Sequence, residues 1–216
     1  MQSQGQARRP SNPSVVPATD DEIKEKYLER AIRELNAFAR RLGDCNQCPR
    51  GQLMPVLGSG HPQADIFMVK HSARPSEVEE GVAFYGRTGN ALMKSLKRLS
   101  IDPLAVYGTL CVKCPVVDPA MADPDCIARL VEELAIVQPK IVVVMGEDAL
   151  AVVNELDVPM SREIRAVPGE LQRFAPSIEA LLVPNIDDSL DEEAAKRAFW
   201  SAFRVLGQWW ADLPPY

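Results

Sequence analysis

Four of the five cysteines in this chain are spaced as ligands of one metal centre: Cys45-x2-Cys48 early on, then Cys114 and Cys126. Two thiolates at C-x-x-C spacing bite a single centre, and a later pair closes it into a four-sulfur site. Such a site suits Zn²⁺ or an iron–sulfur cluster, and spacing alone leaves both open. Cys111 falls inside an apolar run and reads as a buried, unligated thiol. Outside the cysteines, His71 is a candidate general base, donor or phosphate contact near neutral pH, with a solvated or structural loop histidine as the plainer reading. His61, within Gly58-Ser59-Gly60-His61-Pro62, reads as a turn residue or a contact beside a groove. Lys70, Arg74, Arg87 and Lys113 are candidates for a phosphate track. Glu77, Glu79 and Glu80 form a carboxylate run that reads as the solvated face of a polar loop.

These residues need a frame. Residues 1–19 are rich in Pro, Ser, Gln and Arg without hydrophobic period, which predicts a disordered tail ahead of a domain over 20–216. Thr19 or Asp20 caps a long amphipathic helix to Leu42, with Ile23, Tyr27, Ile32, Leu35, Phe38 and Leu42 on one side and Gly43 as its stop. The first cysteine pair follows on a loop. Apolar runs at 64–70, 105–112, 140–145 and 179–184 have the length of buried parallel strands. Helices are expected from about Asn90 to Leu99, from Asp123 to Val137, after Gly146, and from Asp187 or Ser189 to Trp210. Strands alternating with helices predict an α/β fold with a parallel sheet covered on both faces. The ligand site of such a fold lies beyond the carboxyl ends of the strands, here segments 70–76, 113–119, 146–148 and 184–189.

Composition bounds the function. The chain has 216 residues, 46% of them hydrophobic and 25% charged, as in a globular protein. No apolar run approaches the ~20 residues of a membrane span, so no membrane partner is expected. The first twenty residues carry no apolar h-region, and cysteines at these spacings then predict a reducing, cytoplasmic setting. The net charge of −6, from 24 basic and 30 acidic residues, argues against holding nucleic acid through bulk charge and leaves room for a local cationic groove.

The order of motifs resembles the iron–sulfur uracil-DNA glycosylases, family 4 and its relatives. The resemblance covers roughly 40–210 and rests on C-N-Q-C-P, V-L-G-S-G-H-P-Q-A-D-I-F-M-V, G-V-A-F-Y-G-R-T-G-N-A-L, V-K-C-P, Cys126 heading a helix, and P-K-I-V-V-V-M-G-E-D-A-L. It implies a three-layer α/β/α sandwich around a four-stranded parallel sheet. It also implies a 4Fe–4S cluster on Cys45, Cys48, Cys114 and Cys126, and single- or double-stranded DNA with a flipped base as partner. The chain departs from the family where the chemistry is done. Lys70-His71-Ser72-Ala73-Arg74 stands where G-E-x-P-G is usual, with His71 at the acidic position. Leu110 stands where an Asn reads the uracil edge, and Val183-Pro184-Asn185 replaces H-P-S. The customary N-R-x-P segment is missing between Cys114 and Cys126. Phe84 remains where the stacking aromatic lies.

The candidate set is therefore His71 for catalysis, Phe84, Leu110 and Asn185 for substrate, and the four cysteines for metal. Three functions compete: a hydrolase of uracil or another damaged base through a rebuilt pocket, a glycosylase-like protein that binds DNA without excision, and a cluster protein serving electron transfer or a partner. With apolar residues at the reading and donating positions, standard uracil chemistry is expected to be weakened or lost.

Overall fold

The computed structural model describes residues 19–214; all of the expected tail except Thr19 lies outside them. Helix α1 spans Asp20–Asp44 and opens on a capping box. The Thr19 hydroxyl accepts from the Glu22 N–H, and the Glu22 carboxylate accepts from the Thr19 N–H at 2.9 Å. Ala31, Phe38 and Leu42 are buried, whereas Ile23, Tyr27 and Ile32 are exposed. The amphipathic face thus docks only along its second half.

The expected four-stranded parallel sheet is a six-stranded mixed one, ordered β1-β3-β2-β4-β6-β5. The strands are β1 Ser59–Gly60, β2 Ile66–Lys70, β3 Val106–Leu110, β4 Ile141–Met145, β5 Leu171–Ala175 and β6 Ile178–Val183. The inner four, β3-β2-β4-β6, are the four apolar runs and pair in parallel. Both edges are antiparallel additions. They carry little sequence signal for physical reasons: β1 has two residues, and β5 (Leu-Gln-Arg-Phe-Ala) faces solvent along half its length. Short or partly polar strands are what a sheet edge tolerates.

Alternation along the inner strands divides the core. Ile66, Met68, Val143 and Leu181 face one way, onto α3 (Gly86–Arg98) and α6 (Glu193–Ala211). Phe67, Val69, Val142, Val144 and Leu182 face the other, onto α4 (Pro124–Val137) and α5 (Glu147–Asn154). The layers are those of an α/β/α sandwich. Helix α3 starts four residues before the expected Asn90. Helix α6 begins at Glu193, behind a 3₁₀ turn at Asp188–Leu190. The stretch expected as a polar loop contains a further helix, α2, Pro75–Glu80, with Pro75 in its first turn.

Candidate functional site

Register brings the strand ends level. Lys70 pairs with Leu110 on one side and Met145 on the other, and Met145 pairs with Val183. Three of the four segments expected at the site converge there. His71, Met145, Gly146, Glu147, Asp148, Val183, Pro184, Asn185 and Asp188 are among the residues lining a cavity of about 400 Å³. The fourth segment, after β3, runs away from this cavity to the cysteines. His71 is half-buried on the cavity wall and its carbonyl accepts the Val112 N–H. Asn185 lines the cavity too, with its Oδ1 accepting the Asp187 N–H at 3.0 Å.

Behind this cavity lies a buried charge network that sequence reading missed. Lys70, at the last position of β2, is 1% exposed and forms ion pairs with Glu77 (2.6 Å) and Asp187 (2.8 Å). Glu77 is wholly buried, correcting its reading as part of a solvated face. Its Oε2 also accepts the Arg74 N–H and its Oε1 the Phe84 N–H. Asp187 Oδ1 accepts the Thr88 hydroxyl at 2.6 Å. These further donors add to the hydrogen bonding that Lys70 gives the two carboxylates; without them such a buried cluster would be strongly destabilising. The one available signal for Glu77 was the Pro75-Ser76-Glu77 helix opening. Nothing local announces that Asp187, 117 residues from Lys70, is its partner.

This network bears directly on the aromatic candidate. Phe84 is 8% exposed, and its backbone sits at φ 58°, the left-handed region. Its ring lies against Gly108, where an added Cβ would stand 2.6 Å from ring carbon Cδ2. The Lys70 ammonium stands over the ring, 5.7 Å from its centroid. Leu110 has no exposed surface and belongs to the core. Neither residue lines the cavity that holds His71 and Asn185.

A second buried ion pair joins Lys113 to Glu133 at 2.6 Å, with the Tyr107 and Thr109 hydroxyls donating to the same carboxylate. Burial beside Glu133 pushes the Tyr107 hydroxyl pKa upward. Lys70 and Lys113 are therefore internal counter-charges, and only Arg74 and Arg87 of the expected phosphate track reach the surface. Cys111 sits in the core as expected, its thiol pushed up to about 12 by burial.

The cysteines gather on the far side of β3. The sulfurs of Cys48, Cys114 and Cys126 lie within 4.8 Å of one another, all three residues buried. Cys114 follows β3, Cys126 lies in the first turn of α4, and Cys48 is on the loop leaving α1. The Asp123 N–H donates to Cys48 Sγ at 3.3 Å. The hydrogen bond shared between the Cys126 and Cys114 sulfurs lowers the Cys126 thiol despite burial, with help from the Lys113 N–H. Cys114 is in turn pushed up by that bond and by burial. Burial pushes the Cys48 thiol up as well, and a bound cation favours the thiolate form of such ligands.

The donor set fits a thiolate-bound metal. A single tetrahedral ion with metal–sulfur bonds of about 2.3 Å sets its sulfurs about 3.8 Å apart, and Cys114 and Cys126 stand at 3.9 Å. Cys45 is half-buried, outside the trio, and borders the same cavity of about 370 Å³ as Cys126. Arg129 lines that cavity as well, and its Nε is buried with no hydrogen-bond partner among the described residues. A negatively charged thiolate centre would satisfy that donor.

The model of the uracil DNA glycosylase superfamily matches residues 57–203, more than half of the chain. No curated protein matches it. The matched span holds all six strands, the buried Lys70 network, Cys114 and Cys126, and it begins after Cys45 and Cys48.

Proposed function

The chain belongs to the uracil DNA glycosylase superfamily, and on that premise we propose an iron–sulfur, DNA-binding protein of the base-excision repair class whose base pocket is filled by its own side chains. The observation that carries this reading is the Lys70 ammonium standing over Phe84 while paired to Glu77 and Asp187. A flipped base needs a free aromatic face and polar groups on its edge. Here the ring has Gly108 and Lys70 as neighbours, and the edge-reading position is the buried Leu110. Excision also needs a carboxylate near the sugar and a donor at the departing base, and losing one preorganised donor costs ~10²–10³ in rate. His71 and Val183 occupy those positions, so standard uracil excision is lost.

The metal in this reading is a 4Fe–4S cluster held by Cys45, Cys48, Cys114 and Cys126, resident in a reducing cytoplasm. The cluster ties the loop after α1 to the loop after β3 and to α4. Because the trio stands close to single-ion spacing, accepting a cluster requires the sulfurs to move apart and Cys45 to turn inward. Iron and acid-labile sulfide in equal amounts would support the cluster; zinc in their place after anaerobic purification would overturn it.

Incubation of metal-loaded protein with a uracil-containing single-stranded oligonucleotide, followed by alkali, is expected to give no strand breaks above the protein-free control. Robust cleavage would overturn the filled-pocket reading. One feature favours a second reading, hydrolysis of another base: His71 shares its cavity with Glu147, Asp148 and Asn185. Cleavage of a damaged-base substrate, lost in His71→Ala, would establish that reading.

A further inference from the structure

One cation-lined cleft lies outside both sites. It runs between α3 and α6, with a volume of about 640 Å³. Its lining includes five cations, Arg87, Lys94, Arg98, Lys196 and Arg197, and not one carboxylate. In a chain with six more acidic than basic residues, that segregation is the notable fact. The cations form a row rather than a point. Arg87, Lys94 and Arg98 follow one face of α3, and at 1.5 Å per residue they span about 16 Å. Lys196 and Arg197 stand opposite, on the first turns of α6.

The row is only partly neutralised. Arg87 pairs with Asp191 and Lys196 with Glu193, both exposed pairs of little energy. Lys94 and Arg197 have no ion-pair partner among the described residues. Trp200 forms part of the wall, with the Arg98 guanidinium stacked on it at 4.3 Å. A cationic track with aromatic and guanidinium planes is the chemistry that holds single-stranded nucleic acid. A cleft between neighbouring helices is narrower than a duplex, and its row of charges is too long for a lone phosphate.

Position adds a second argument. The loop after β6 contributes Ile186, Ser189 and Leu190 to this cleft and Pro184, Asn185 and Asp188 to the cavity with His71. One short loop is therefore the ridge between the cleft and the candidate site. We propose that the α3–α6 cleft is the track for one strand of single-stranded DNA, delivering it across the loop after β6. The inference rests on the DNA-binding reading above and adds where the strand lies.

The test is fluorescence anisotropy of a single-stranded oligonucleotide bound to the metal-loaded full chain across a salt series. Each phosphate contact contributes about 0.7 to the slope of log affinity against log salt for single strands. The double variant Lys94→Ala/Arg197→Ala is expected to bind more weakly and to lower that slope by about 1.4. Arg33→Ala, an exposed charge on α1, is expected to leave it unchanged. Both substituted cleft residues are exposed, and melting temperature checks that the variant is folded. Unchanged affinity and slope, with wild-type binding intact, would overturn the cleft and spare the DNA-binding reading. No DNA binding by wild type would overturn both. Binding of ATP through the same two residues as tightly as of the oligonucleotide would also overturn the strand assignment.

Discussion

Lys70 is the residue on which this molecule departs from what its motifs announce. It ends an otherwise apolar run, Ile66-Phe67-Met68-Val69-Lys70, and a terminal lysine ordinarily turns to solvent. Here its ammonium is held by two carboxylates, from α2 and from the loop after β6, so that β2, α2 and that loop meet only in the fold. Removing the cation leaves Glu77 and Asp187 buried against each other. Lys70→Met is therefore expected to destabilise the protein by about 3–5 kcal/mol, read from urea unfolding. Thr88→Val, which removes one donor to Asp187, should cost about 1–3 kcal/mol. A loss below about 1 kcal/mol for Lys70→Met would mean that the network is solvated and the ion pairs incidental.

At the scale of elements, the cysteines bring together three stretches that lie far apart in the chain. The loop after α1, the loop after β3 and the first turn of α4 meet at Cys48, Cys114 and Cys126, and the Arg41–Glu132 pair also links α1 to α4. Cys48→Ser, Cys114→Ser and Cys126→Ser are each expected to lose the metal and to make the 45–56 loop sensitive to protease. Metal analysis and limited proteolysis check this; full metal retention in all three would contradict the site. The four inner strands were legible in the sequence because strands buried on both faces must be apolar throughout. The α1 cap was legible because Thr19 and Glu22 act within one turn. The edge strands were not, since an edge needs no apolar run, and α2 was not, since six residues with three glutamates read as solvated. Spacing picked out four cysteines, three of which gather, with Cys45 outside the trio. Glu77 and Asp187 were not, because a carboxylate's burial depends on a partner distant in the chain.

The whole molecule separates its charge. Acidic overall, it gathers cations in the α3–α6 cleft and carboxylates around the His71 cavity, and it buries two further lysines as internal counter-ions. No helix among the described residues is long and apolar enough to cross a membrane. If DNA lies on the flank and the base pocket is closed, as proposed, the strand should bind without its bases being read. The most direct measurement is a pair of equilibrium affinities at one salt concentration, for two single-stranded oligonucleotides that differ by one uracil in place of thymine. A filled pocket predicts the same Kd for both. A preference for uracil of tenfold or more, about 1.4 kcal/mol, would mean that a flipped base reaches Phe84 and would contradict the account.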